Sequence, residues 1–305
     1  MTIYLVPCGL SILNWMKSYN AQAPGKRYVD VDPAALEDLC DEVEQWQSGA
    51  EHDLESWKAT VLEKALAANI GKWDPIVSAE TSTLRARRPG GPLLTDDDRI
   101  VLMASETAEG ISAALCVAAI IAVGNTHRID GIADPEQKMR SGKVTVVRIT
   151  GLKPTSLSLG RACEAMGTVL HNALASDESE KIEVHLTGGY KAALLHMLAM
   201  TELAYSRFPE RVSAHYIFER VEGSRIRGDQ AVRIGLRRFS QRQIEQMHDE
   251  LMDARNGRPI WAPQTFEGYA WEPYGNGTRL TDFGRGYLAV LGGPHTPGTN
   301  DGGGL

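Results

Sequence analysis

Residues 188–191, a Gly-Gly-Tyr-Lys run, have the composition of an anion-binding site. An alternating, strand-like run over residues 182–187 leads into it, and an apolar helical run over residues 192–205 follows it, so Lys191 is predicted in the first turn of a helix. Helix N-termini present unpaired N–H groups, glycines let the backbone approach a phosphate closely, and a lysine adds a full positive charge. An ordinary strand-to-helix turn with a solvated lysine fits the same local pattern.

The segments that would position this run alternate between strands and helices. A buried strand at residues 2–7 stops at a loop containing Gly9 and opens into a helix, which is the usual start of a Rossmann-like domain. Further strands are predicted at 74–79, 99–104, 143–149 and 214–219, helices at 32–68, 111–122 and 159–174, a loop at 80–84, and an exposed excursion at 124–142. The sequence therefore predicts an α/β fold, with a mostly parallel sheet covered by helices on both faces.

In such a sheet, ligands bind where loops leave the carboxyl ends of the strands. Four predicted loops would meet there, at residues 8–14, 80–84, 105–110 and 187–191. They are rich in serine, threonine and glycine, which suit phosphate and ribose better than an apolar ligand. Ser11 and Asn14 also have the residue types that cap helices, so their local pattern admits both roles.

The overall composition narrows the possible functions. The 305 residues are 43% hydrophobic and carry a net charge of −7, which argues against a generic polyanion binder and requires any phosphate recognition to be local. The four cysteines lie far apart without paired spacing, which argues against a zinc site and against a disulfide framework. The N-terminus does not read as a signal peptide, and the apolar run at 115–123 is too short to span a bilayer. We therefore expect a soluble, cytoplasmic protein that makes no use of a membrane.

Five short motifs, taken in order, resemble the CRISPR-associated Rossmann-fold (CARF) domain. The resemblance covers roughly residues 1–222 and is greatest to the stand-alone CARF proteins that include ring nucleases. The motifs are Gly-Leu-Ser-Ile-Leu-Asn at 9–14, Ser-Ala-Glu-Thr at 78–81, Val-Leu-Met-Ala-Ser-Glu-Thr-Ala-Glu-Gly at 101–110, Val-Arg-Ile-Thr-Gly-Leu at 147–152, and Leu-Thr-Gly-Gly-Tyr-Lys-Ala at 186–192. A long helical insertion at 32–68 and the residues Cys8-Gly9-Leu10 depart from the usual family pattern.

The resemblance implies a homodimer that binds a cyclic oligoadenylate on its two-fold axis, and the expected ligand is cyclic tetra-adenylate. In family members that cleave this messenger, the position of Ser11 helps to hold the ribose-phosphate and that of Lys191 stabilises charge at the scissile phosphate. No metal or other cofactor is implied, because the ribose 2′-hydroxyl attacks the phosphorus and leaves a 2′,3′-cyclic phosphate. The implied ligand-binding residues are Gly9, Leu10, Ser11, Asn14, Glu80, Thr81, Ser105, Glu106, Thr107, Thr187, Gly188, Gly189, Tyr190 and Lys191.

The loops offer no histidine pair for acid–base work. His185 is predicted inside a strand and His196 within a helix, where packed or surface histidines are commoner than catalytic ones. This absence fits a slow catalyst that works by positioning, and it fits a pure sensor equally well.

Residues 223–291 resemble a small winged-helix module, and residues 292–305 are predicted to be a disordered tail. Ser240 and Gln243 form a capping-box pattern ahead of a helix that should end at Asn256-Gly257, and a hairpin with its turn at 274–278 precedes a last helix. Three roles stay open for this segment. It could bind DNA, it could cleave RNA through an Arg242 and His248 pair of the HEPN type, or it could buttress the ligand domain.

Overall fold

The structure is a computed structural model that describes residues 1–13, 33–47, 78–152, 159–217, 231–260 and 266–292. Several sequence predictions lie outside these residues and stay predictions. They are most of the helical insertion at 32–68, the strand residues 74–77, the end of the strand at 214–219, and nearly all of the tail at 292–305.

A mostly parallel sheet forms the centre of the fold. Its strands are β1 (Thr2–Pro7), β2 (Arg99–Ser105), β3 (Ile129–Ala133), β4 (Lys143–Ile149), β5 (Lys181–His185), β6 (Val212–Tyr216) and β7 (Val232–Arg233). Their spatial order is β3-β4-β2-β1-β5-β6-β7, with β1 to β6 parallel and β7 antiparallel to β6. The prediction of a Rossmann-like α/β fold is therefore confirmed.

Helices cover both faces of the sheet. They are α1 (Pro33–Gln47), α2 (Ala79–Arg87), α3 (Ala108–Ile121), a 3₁₀ turn (Thr126–Arg128), α4 (Leu159–Leu174), α5 (Lys191–Arg207), α6 (Gln241–Arg255) and α7 (Asp282–Val290). On one face, Tyr4 and Val6 join a hydrophobic cluster with α3; on the other, Ile3 and Leu5 join a cluster with α4 and α5. The alternation along β1 divides the core in two, as the period of a strand dictates. None of the described helices combines the length and the apolar character that crossing a bilayer requires.

The prediction of a loop at 80–84 was wrong. These residues lie in α2, whose N-cap is Ser78 because the Ser78 hydroxyl accepts a hydrogen bond from the Thr81 N–H at 3.1 Å. A cluster of serine and threonine resembles a loop locally, since these side chains compete for backbone hydrogen bonds. Here Thr81, Thr83 and Leu84 are buried, and tertiary packing determines the helix.

The prediction of an exposed excursion at 124–142 was also wrong in part. Strand β3 lies within it and every residue of β3 is buried. The strand was not predicted because it contains Asp130 and Gly131, and both residue types are depleted in strands. The Asp130 carboxylate is neutralised by Arg140 at 2.6 Å and accepts a hydrogen bond from the Thr145 hydroxyl.

The C-terminal segment follows its predicted order of elements. Ser240 and Gln243 form the capping box at the start of α6, and Gly257, with φ +66°, follows its end. A hairpin of β8 (Trp271–Tyr274) and β9 (Gly277–Leu280) then leads into α7. The apolar side chains of α6 and α7 join the cluster that holds α4 and α5, so this segment packs directly on the Rossmann-like core.

Candidate functional site

The loops after β1, β2 and β5 lie side by side, because these three strands are neighbours in the sheet. The chain leaves β1 and β5 toward opposite faces. Ile12 and Leu13, after β1, pack in the cluster with α3, whereas Met197 of α5 packs in the other cluster. Such a divergence is a topological switch point, where open α/β sheets form a ligand crevice. The predicted Gly-Gly-Tyr-Lys run lies at this crevice.

Three glycines let the loops after β1 and β5 pack against each other and against Glu80 of α2. A Cβ built on Gly9 would lie 3.0 Å from the Gly189 nitrogen, and one on Gly189 would lie 2.8 Å from the Cβ of Pro7. Gly189 also has φ +98°, a conformation that side chains disfavour. A Cβ on Gly188 would meet Glu80 Oε1 at 2.2 Å. The two loops therefore form one packed unit that depends on glycine at each contact.

The Glu80 side chain supports these two loops by hydrogen bonds to the loop after β1. It is 1% exposed, and its Oε1 accepts a hydrogen bond from the Gly9 N–H at 2.9 Å while its Oε2 accepts one from the Ser11 hydroxyl at 3.1 Å. Hydrogen bonds to an ionised carboxylate are among the stronger ones in proteins. Sequence reasoning placed Glu80 in the ligand site, but its two oxygens are directed at the protein. We therefore assign it to holding the β1 loop and the Ser11 hydroxyl in place.

Ser11 and Leu10 are exposed at the start of the helix after β1. Because the Ser11 hydroxyl donates its proton to Glu80, its oxygen keeps lone pairs with which to accept a hydrogen bond from a ligand hydroxyl. Asn14, predicted beside them, lies outside the described residues.

Lys191 is the first residue of α5, as predicted, and its side chain is exposed. Tyr190 is the N-cap residue, and no side chain of the described segments caps this helix. The positive end of the helix dipole and the Lys191 ammonium thus act at the same place. This is the arrangement that binds an anion.

The other predicted site residues hold the loops together. Thr81 is fully buried and bonded to Ser78, and Thr187 accepts a hydrogen bond from the Ile217 N–H at 2.9 Å. Thr107 is the N-cap of α3 and bonds Ser105 at 3.0 Å. Glu106 accepts from the Gly151 N–H at 3.1 Å. Ser105, Glu106 and Thr107 are half-buried beside the crevice, whereas the buried Thr81 is withdrawn from it.

Cys8, between β1 and Gly9, is not a candidate nucleophile. It is 4% exposed, and burial raises the pKa of its thiol well above the usual value, with Glu80 adding to the effect. A thiol with a raised pKa is a poor source of the reactive thiolate.

We expect replacement of Glu80 by alanine to destabilise the protein by about 2–3 kcal/mol, because the half-buried Gly9 N–H loses its acceptor and a cavity forms under the loop. Glu80→Gln is the matched control. Its amide oxygen can still accept from Gly9 and its amide nitrogen can donate to Ser11, so the loss should be about 1 kcal/mol or less. Urea unfolding measures both, and equal losses would show that the hydrogen bonds to the loop carry little stability.

A second group of polar residues lies away from the crevice, and sequence reasoning missed it. Glu183 and His185 lie on the same face of β5, and His215 is directly opposite His185 on β6. Glu183 Oε2 lies 3.8 Å from His185 Nε2 and 3.6 Å from His215 Nδ1. Arg87 donates two hydrogen bonds to the same carboxylate, at 2.8 and 2.7 Å. The Tyr4 ring meets the His185 ring edge-on, with the centroids 5.6 Å apart.

Burial sets the charges of this group. It would raise the pKa of the Glu183 carboxyl, but the hydrogen bonds from Arg87, assisted by the two imidazoles, hold that pKa well below its usual range. Burial lowers the pKa of His185 and lowers that of His215 to about 4. The Glu183 carboxylate raises both pKa values, but its effect is smaller than that of burial. At neutral pH the group therefore holds one carboxylate and two neutral imidazoles.

Acidification should destabilise the fold through His215. Between its ordinary pKa of 6.5 and its folded pKa of about 4, the unfolded chain binds more protons than the folded one, so stability falls as pH falls. From pH 7 to pH 5 this residue should account for a loss on the order of 2 kcal/mol. Urea unfolding of His215→Gln at both pH values should show a shallower dependence than the wild type. Equal slopes for the wild type and His215→Gln would refute the prediction.

The fold and the crevice together define a class: a Rossmann-like α/β protein with a candidate anion site at its topological switch point. A comparison with models of known protein families finds no match, and a search of curated proteins finds none either.

Proposed function

We propose that the protein binds a cyclic oligoadenylate, with cyclic tetra-adenylate as the first choice, and cleaves it by intramolecular attack of a ribose 2′-hydroxyl. One observation carries this proposal. Ser11, held by buried Glu80, and Lys191, at a helix start without a side-chain cap, belong to loops that touch at the switch point. The order of motifs that resembles the CARF domain supports a cyclic oligoadenylate as this anion. Such a protein would end antiviral signalling by removing the messenger.

The groups at the crevice can perform the reaction by positioning and by electrostatics. The ribose 2′-hydroxyl donates a hydrogen bond to Ser11 Oγ, which orients it for attack on the adjacent phosphorus, and water takes up its proton as the new bond forms. Lys191 and the start of α5 stabilise the negative charge that grows on the phosphoryl oxygens. The bond to the 5′-oxygen breaks, water protonates that oxygen, and a 2′,3′-cyclic phosphate remains.

Exposed apolar side chains beside the crevice support a homodimer. Leu10 is 43% exposed, Tyr190 is 45% exposed and Leu195, one helical turn after Lys191, is 67% exposed. A two-fold axis passing here would bury these side chains and present each loop twice to a ligand whose nucleotides repeat.

Incubation with radiolabelled cyclic tetra-adenylate in the presence of EDTA tests the proposal. We expect linear products with 2′,3′-cyclic phosphate ends and a protein mass of two chains in solution. Ligand that stays intact for many hours with stoichiometric protein would overturn cleavage, and a parallel equilibrium-binding measurement would then decide between a sensor and a protein that ignores this ligand. Cyclic hexa-adenylate in the same assay measures the preference for ring size.

The contacts of residues 223–291 support DNA binding and RNA cleavage less than they support a buttress for the ligand domain. The last helix, α7, is largely buried against the core, and on the hairpin Arg279 is paired with Glu272 at 2.7 Å. His248 lines a surface cleft with Arg207 and Glu245. Arg242 is not among the described residues that line this cleft. A segment that buttresses α4 and α5 fits these contacts best, with binding to DNA or RNA as the alternative proposal.

A further inference from the structure

The Glu183, His185 and His215 group has the donor set of a metal site. One nitrogen of each imidazole and one carboxylate oxygen lie within 4.8 Å of one another. Two histidines and a carboxylate form a common set of three protein ligands for a catalytic zinc ion. The expectation from the sequence that there is no zinc site came from the spacing of the cysteines, which bears on thiolate ligands and not on histidine and carboxylate ligands.

Two of the three distances between the donor atoms are close to those around a first-row divalent cation, and the third, between the two imidazole nitrogens, is within 4.8 Å. Tetrahedral ligands at bonds of about 2.0–2.1 Å lie about 3.3–3.4 Å apart. The carboxylate oxygen of Glu183 is 3.8 Å from the His185 nitrogen and 3.6 Å from the His215 nitrogen. A contraction of a few tenths of an ångström would therefore complete these two edges.

Unsatisfied nitrogens point to a missing partner. The His185 side chain is 1% exposed, and neither of its ring nitrogens has a hydrogen-bond partner among the described residues; the same holds for Nδ1 of His215. A buried polar atom without a partner is costly, so native proteins seldom leave three together.

Two surrounding features meet the further requirements of a metal site. Arg87 holds the Glu183 carboxylate with two hydrogen bonds, and such outer contacts orient metal ligands. Glu183 and His215 line an open cleft of about 430 Å³, which gives an ion a path from solvent. Three protein ligands leave a fourth position for water or for a ligand that enters the cleft.

We propose that Glu183, His185 and His215 bind one Zn²⁺ ion, with Arg87 as a positioning residue. The site lies on the α2 face of β5 and β6, and it rests on none of the argument for the cyclic oligoadenylate. The ion replaces the missing hydrogen-bond partners of the buried imidazoles and joins β5 to β6. Without it, the same residues would be a partly exposed Arg–Glu pair packed against two histidines.

Metal analysis of the untagged full chain tests the site. After EDTA treatment, dialysis against zinc chloride and removal of free ion, we expect about one zinc per chain and a higher melting temperature. Glu183→Gln and His215→Ala should each weaken zinc binding at least about 100-fold, and Arg87→Gln about 10- to 100-fold. His127→Ala, which changes an exposed histidine, should bind like the wild type.

Cobalt keeps the test independent of whether the variants fold. Co²⁺ added to the wild type should give visible absorption bands of a four- or five-coordinate site, and Zn²⁺ should remove them. Wild-type protein that retains no zinc and shows no such bands overturns the proposal. Zinc binding that survives unchanged in folded Glu183→Gln and His215→Ala overturns it as well, because the ion would then lie elsewhere.

Discussion

Replacement of Lys191 by alanine should slow cleavage of cyclic tetra-adenylate by about 100- to 1,000-fold, the usual effect of removing one preorganised group that stabilises transition-state charge. The side chain is exposed at the first residue of α5 and makes no hydrogen bond or ion pair with the described residues, so its loss should leave the fold intact. Single-turnover cleavage of labelled ligand measures the rate, and the mass of the protein in solution measures dimerisation.

Two further variants make the Lys191 result specific. Lys191→Arg keeps the charge and should retain more of the rate than alanine does. Lys138→Ala removes an exposed lysine from the connection between β3 and β4, and it should cleave like the wild type. A Lys191→Ala protein that cleaves at the wild-type rate would mean that the Gly-Gly-Tyr-Lys run is an ordinary turn between a strand and a helix.

Gly167→Val should destabilise the protein by about 3 kcal/mol, because it overpacks a helix crossing that has no spare volume. A Cβ on Gly167 of α4 would lie 2.4 Å from the Gly286 carbonyl oxygen of α7 and 2.9 Å from the Cβ of Ala289. Gly286 is equally constrained, since its own Cβ would lie 2.7 Å from the Met200 sulfur of α5. Separation of α7 from α4 is the only relief, since backbone atoms form most of the contact.

Urea unfolding measures this effect, and Gly235→Val is its matched control. Apart from its two chain neighbours, no atom of the described residues lies within 4 Å of a Cβ built on Gly235, so that variant should change stability by less than about 0.5 kcal/mol. If Gly167→Val is as stable as the wild type, α7 does not dock on α4 in solution. The C-terminal segment would then be free to work as a separate module.

Local signals in the sequence were sufficient for much of the fold. The span of α4 and the capping box of Ser240 and Gln243 follow from apolar periodicity and from end signals that act within a few residues. Helix α2 and strand β3 were missed because their local residue types favour other conformations. In both segments burial against distant parts of the chain outweighs local propensity.

The candidate site was predictable in its loops and unpredictable in its contacts. The run that contains Gly188, Gly189 and Lys191 can be recognised in the sequence as a candidate anion site, because its residue types follow a predicted strand and precede a predicted helix. The hydrogen bond between Ser11 and Glu80 joins residues 69 apart in sequence. Only the folded structure therefore shows that the Glu80 carboxylate bonds to the protein. His215 pairs with His185 through the register of two parallel strands, which neither strand encodes alone. The alternation of Glu183 and His185 on one strand face was the only local signal for that group.

The two outer strands of the sheet bear on how copies of the chain can assemble. Strand β3 carries an inward-directed carboxylate, Asp130, that needs Arg140 to neutralise it, and β7 offers only two residues for pairing. Short edges and charged edge residues are the devices by which proteins resist strand-to-strand polymerisation. The sheet is therefore protected from growing into a fibre. Any association of copies would then use side-chain surfaces rather than strand edges.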